Sequence, residues 1–182
     1  MSMTISERLE ALGGSERTVA AGQRLFDRGD PVSTLFVVRE GAVTLCRIGE
    51  NGEPAILQRA GPGDIVAEAS AFSDRYHCSA IAGAACRLFC LSVTRLRQAL
   101  RDDPGLGLAL LDHMGRELRQ ARMRAEILSL KTVRARLAAW REWQGGSLPA
   151  RGNWHLVADE LGVSPEALYR EMARLRLEGE QG

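Results

Sequence analysis

The chain has 182 residues, 45% of them apolar and 5% aromatic, an ordinary composition with room for one domain and a small second one. With 24 basic and 23 acidic residues it is close to neutral, so charge alone argues for neither a nucleic-acid nor a membrane partner. No stretch approaches the ~20 apolar residues that a bilayer span needs, and residues 1–14 lack the long apolar core of a secretory signal. The chain is therefore expected in the cytoplasm, with its four cysteines, Cys46, Cys78, Cys86 and Cys90, as thiols.

Ile5, Leu9 and Leu12 sit at helical spacing and predict a short amphipathic helix. Residues 15–94 read as strands and turns, punctuated by Gly22, Gly29, Gly41, Gly49, Gly52, Gly61, Gly63 and Gly83. The apolar runs Leu35-Phe36-Val37-Val38 and Val43-Thr44-Leu45-Cys46 flank Gly41, which predicts a hairpin. Between Ile48 and Ile56 lies a polar loop with Asn51-Gly52 at its tip. Ile56-Leu57 and Leu88-Phe89-Cys90-Leu91 read as further strands. Short strands at this spacing, without intervening helices, predict a barrel or sandwich. Cys86 and Cys90 fall on one strand face about 13 Å apart, too far to share a metal, and are expected in the core.

Residues 106–131 contain no proline. Leu111, Leu118 and Ala125 recur every seven residues, and Met114, Ala121 and Leu128 fill the second apolar row of the same heptad. A helix of this length rises ~39 Å, more than a small domain covers. The seam is expected to dimerise the protein, with Glu117 of one chain near Arg122 of the other. The alternative is an amphipathic helix packed on its own domain.

Residues 132–143 predict another helix, capped by Thr132, with Val133, Leu137, Trp140 and Trp143 along its apolar face. A glycine-rich linker follows. Asn153 suits the cap of a next helix, whose inner face is Val157, Ala158 and Leu161. Gly162 makes a tight turn and Val163 plugs the pair. Ser164 caps the final helix and Pro165 starts it, with Leu168, Met172 and Leu175 turned inward. This is helix-turn-helix spacing. The alternative is an αα-hairpin used only for packing.

The order Gly22-Gln23-Arg24-Leu25-Phe26, Gly29-Asp30-Pro31, Gly41-Ala42-Val43, Pro62-Gly63-Asp64-Ile65 and Ala67-Glu68-Ala69 resembles the cyclic-nucleotide-binding β-roll. From about Ser15 onward the chain resembles the CRP/FNR family of bacterial transcription regulators. The resemblance implies an α+β protein with three parts. These are an N-terminal β jelly-roll (double-stranded β-helix) sensor over 1–104, a dimerisation helix over 105–131, and a small winged-helix-like helix-turn-helix domain over 132–182. The chain stops at Gly182, without the full wing hairpin usual in the family.

The resemblance also implies an effector pocket. Glu68 takes the position of a glutamate that binds a ribose hydroxyl, flanked by Ala67, in place of a glycine, and by Ala69. Tyr76 falls where the phosphate-binding arginine is expected, with Arg75 one residue off and His77 after it. Ala121 and Arg122 fall where hydroxyl side chains of the dimer helix reach the nucleotide. Losing the arginine removes a charge-assisted contact worth ~1.5–3 kcal/mol, so cyclic AMP is not expected to bind tightly. No metal and no resident cofactor are expected. The alternative is haem on His77 and Cys78, although neighbouring side chains on a strand face opposite ways. An iron–sulfur cluster needs about four thiolates, and the N-terminus offers none.

For the final helix the resemblance implies insertion into the major groove of double-stranded DNA. Glu166, Tyr169 and Arg170 face the bases, Arg174 lies further along, and Ser164 holds a phosphate. Arg170 is suited to guanine and Glu166 to cytosine. The expected partners are thus DNA, a second copy of the chain and a small-molecule effector, with no membrane. A rival reading is an effector-binding or scaffold dimer with weak or lost DNA binding, since residues 134–182 hold seven basic and seven acidic residues. An enzyme is not expected. His77, His113 and His155 fall in separate segments, and no nucleotide-binding glycine motif is present.

Overall fold

The structure, a computed structural model, describes residues 3–49 and 54–179. The chain divides into two compact units, Met1–Met114 and Gly115–Gly182.

The first unit opens with α1 (Ile5–Ala11), which starts with a reciprocal cap. Thr4 accepts from the Glu7 N–H, and the Glu7 carboxylate accepts from the Thr4 N–H. Among the described residues eight antiparallel strands follow: β1 (Ser15–Val19), β2 (Arg24–Phe26), β3 (Thr34–Glu40), β4 (Val43–Ile48), β5 (Pro54–Ala60), β6 (Ile65–Val66), β7 (Ser79–Ala82) and β8 (Cys86–Ser92). They form two sheets, ordered β1-β8-β3-β6 and β2-β7-β4-β5. The two sheets enclose a core that includes Phe26, Phe36, Val38, Val43, Leu45, Tyr76, Cys78 and Leu88.

The other face of the first sheet is also covered. Leu35, Val37, Phe89 and Leu91 pack there with Leu9 of α1, with Val93 and Leu96 of α2 (Val93–Asp102), and with Leu106 at the start of α3 (Pro104–Ser129). Burial on both faces explains why β3 reads as an unbroken apolar run rather than an alternation. Cys86 lies in the core between the sheets, and Cys90, half-buried, packs against it.

The hairpin expected around Gly41 is not one. β3 and β4 belong to different sheets, and Gly41 turns the chain from one sheet to the other. Its φ is +83°, and a Cβ at this position would overlap the Ala85 carbonyl oxygen. The true hairpin pairs β4 with β5 from Val43↔Ala60 to Ile48↔Pro54. The expected Asn51-Gly52 tip lies outside the described residues.

The second unit holds the later part of α3, then α4 (Val133–Trp143), α5 (Trp154–Leu161) and α6 (Pro165–Gly179). Ile127, Leu137, Trp140, Trp154, Val157, Ala158, Leu161, Leu168 and Met172 form its core. Thr132 caps α4 by accepting from the Ala135 N–H at 3.1 Å, and Ser164 caps α6 by accepting from the Ala167 N–H at 3.2 Å. Asn153 occupies the cap position of α5 but makes no side-chain cap bond. A short 3-10 turn, Arg151–Asn153, leads the chain into α5 instead. Gly162 ends α5 with φ +60°, the left-handed turn its position requires.

Candidate functional site

The effector cassette that the resemblance implies falls on the stretch between β6 and β7 of the first unit. Ala67 opens it with φ +77°, alone among the described non-glycine residues in a positive-φ conformation. A glycine-type backbone is thus kept at a position where the sequence carries a methyl group, and a left-handed L-residue costs roughly 1–2 kcal/mol. A single 3-10 turn, Glu68–Ser70, follows, with Glu68 and Ser70 buried and Ala69 exposed.

Tyr76 lies in the core rather than beside an open site. It is 4% exposed, and its ring stacks on Phe26 at 3.8 Å between centroids and 13° between planes. Its hydroxyl donates to the Thr34 carbonyl at 2.6 Å and accepts from the Thr34 N–H at 3.2 Å. Phe36 continues the stack, 6.0 Å from Phe26. Phe26 is the residue that the sequence reading left without a role in the cassette.

Arg75 does not compensate for the missing arginine. It is exposed, forms an isolated bridge with Pro31, and donates to the Gly29 carbonyl at 2.6 Å. Positive charge reaches the cassette from the exposed Arg47 on β4, which acts on both His77 and Cys78. The arginine that the resemblance places on a cyclic phosphate is thus absent from this stretch: Tyr76 fills its position and Arg75 is turned to Gly29.

His77 is exposed overall, but its Nδ1 end sits against Ser70 and shares a 2.8 Å hydrogen bond with the hydroxyl. Partial burial, aided by Arg47, holds its pKa below the usual 6.5. Cys78 is buried. Desolvation, with help from the Glu68 carboxylate, pushes its thiol to about 11. With His77 exposed and Cys78 buried, the two do not form a common ligand pair for one iron, and Cys78 is a protonated thiol at neutral pH. Among the described residues no cluster of histidine, cysteine and carboxylate side chains could hold a metal.

In the second unit a short turn over 162–164 joins α5 to α6, the connection length of a helix-turn-helix. Leu168 and Met172 of α6 are buried, whereas Glu166, Tyr169, Arg170 and Arg174 are exposed. Tyr169, 40% exposed, also leans on Trp154 with ring centroids 5.7 Å apart. Ser164 uses its hydroxyl to cap α6. Pro165 occupies the first turn, where its missing N–H costs nothing.

The heptad row of α3 is bare in the single chain. Leu111 is 66%, Leu118 51% and Leu128 44% exposed. Ala121, Arg122 and Ala125 are exposed too, and Met114 is half-buried. The helix packs into the two cores through other residues, Leu106 in the first unit and Ile127 in the second. Leu111 and Leu118 are thus exposed in the single chain, whereas Leu128 lies beside Gly162 of its own unit.

Residues 16–103 match the family model for the cyclic nucleotide-binding domain. The transcriptional activator protein Anr of Pseudomonas aeruginosa is 26% identical over 191 residues, spanning 98% of this chain and 78% of that protein. The structure of FixK2 from Bradyrhizobium japonicum superposes with a TM-score of 0.75 at 21% identity, over 91% of this chain and 86% of the other. At that identity the likeness is one of fold. The N-terminal domain of a transcriptional regulator from Streptomyces coelicolor A3(2) is 34% identical over 64% of this chain and 83% of its own, with a TM-score of 0.52. Sequence likeness to a transcriptional activator over almost the whole chain, joined to a β-roll of this type, places the protein in the CRP/FNR family of transcription regulators.

Proposed function

We propose that this regulator works as a cytoplasmic homodimer that reads double-stranded DNA with α6 and senses an effector other than cyclic AMP. The observation that carries the reading is the division of α6. Leu168 and Met172 hold it to its unit, while Glu166 and Arg170 are exposed to solvent along the opposite side. The bare heptad row of α3 supplies the dimer contact, and pairing brings two reading helices to two half-sites about one helical turn apart. The small-molecule effector shifts the equilibrium between two pairings of the chains, as far as its affinity for the two states differs.

The assignment is tested by gel shift against a promoter pool, with Arg170→Ala beside wild type. Loss of one paired contact to guanine weakens specific binding by ~1–3 kcal/mol per half-site. Equal retardation of both proteins, or none of either, removes the role.

A second reading is a dimer that binds its effector but holds DNA weakly. The balance of seven basic and seven acidic residues over residues 134–182 favours it. A steep loss of duplex binding with rising salt argues against this second reading, because it reports phosphates neutralised by the protein.

A further inference from the structure

The second unit carries a groove that neither the reading helix nor the dimer seam uses. It has a volume of about 390 Å³, and its walls include Trp140 of α4, Leu148 and Pro149 of the following loop, and Leu156 and Val157 of α5. That volume falls in the range of small-molecule sites, and Gln144, Ser147, Asn153 and Glu160 add polar groups to the apolar wall.

The placed group here is Glu160. Its carboxylate lines the groove, half-buried, and its Oε2 accepts from the Trp140 indole N–H at 2.6 Å. That bond fixes the side chain and leaves Oε1 without a bond among the described residues. The nearby guanidinium groups are committed elsewhere. Arg141 turns to the Gly146 carbonyl, and Arg136 turns to the carbonyls of Leu130 and Leu161. The carboxylate is thus held beside an indole and aliphatic walls, and among the described residues no cation pairs with it. A carboxylate fixed by one oxygen and with the other open is the chemistry that receives an ammonium group, through a charge-assisted hydrogen bond.

We propose that the α4–α5 groove binds a small organic ammonium, with its apolar body against Trp140 and Leu156 and its charged head on Glu160. The site lies on the first helix of the helix-turn-helix, so occupancy stiffens the element from which α6 is launched.

The test is a titration of the full chain, labelled with 15N, following the assigned indole N–H resonance of Trp140. The probes are benzylammonium, its neutral isostere benzyl alcohol, and phenylacetate. Benzylammonium is expected to move the Trp140 resonance saturably, with benzyl alcohol about tenfold weaker and phenylacetate weaker still. Glu160→Gln keeps an oxygen to accept from the indole, and it is expected to weaken benzylammonium about tenfold and erase its advantage over the alcohol. An unmoved Trp140 resonance, equal affinity for the ammonium and the alcohol, or a Glu160→Gln variant that binds as wild type overturns the proposal. If Glu160→Gln does not fold, the comparison of the three probes on wild type decides.

Discussion

The Tyr76 ring lies 3.8 Å from the Phe26 ring, nearly parallel to it, and its hydroxyl bridges to the Thr34 carbonyl. Three separate stretches of the first unit are thereby pinned at the position to which the resemblance assigns a phosphate-binding arginine. Tyr76→Phe keeps the stack and loses the hydroxyl bond, so it is expected to lower stability by about 1 kcal/mol. Urea unfolding of both proteins measures this. Calorimetry on wild type is expected to show no micromolar binding of cyclic AMP, and micromolar heats would refute this view of the cassette.

Gly41 carries the crossing between the sheets. Its φ of +83° and its contact with Ala85 leave no place for a side chain. Gly41→Ala is expected to cost at least ~2 kcal/mol, from the left-handed backbone and the forced shift together. Thermal unfolding gives the value. A loss within experimental error would mean that the corner relaxes freely.

That corner also marks where the sequence stopped being legible. Two β-rich runs around a glycine look the same whether the strands pair or part, because pairing depends on which other strands arrive beside them. Here β8 takes β3 and β7 takes β4. The helices were easier to read, since Thr132, Gly162, Ser164 and Pro165 carry local signals that the structure follows. Asn153 carried a similar signal without making the bond. In the cassette, the resemblance located Tyr76, but nothing local pointed to Phe26, which meets it only through the closure of the second sheet. The Trp140–Glu160 bond was hidden for the same reason: it joins α4 to α5 across a loop.

The thiols should be quiet. Burial raises the pKa of Cys46, Cys78 and Cys90, and that of Cys78 to about 11. The thiolate is the reactive form. In native protein at neutral pH, iodoacetamide is expected to modify these three far more slowly than after denaturation. Peptide mass spectrometry reads each site. Rapid labelling of native Cys78 would mean that the cassette opens.

His77 should leave a trace in the pH dependence of stability. Its folded pKa lies below the usual 6.5, because partial burial and Arg47 disfavour the imidazolium. The unfolded chain then binds more protons in the window just below 6.5. The His77 contribution is complete above that pH and declines as pH falls toward the folded pKa. His77→Gln is expected to flatten this part of the profile, measured by urea unfolding between about pH 7.5 and about pH 5.5. Parallel profiles for the two proteins would assign the slope to other groups.

The central claim is that two chains pair through Leu111, Leu118 and Leu128 of α3. Sedimentation velocity of wild type and of Leu118→Glu tests it most directly. The account predicts a wild-type species of about twice the 19.9 kDa chain mass at micromolar concentration, and a folded single chain for Leu118→Glu. A wild-type protein that sediments as one chain, or a variant that still pairs, would contradict it.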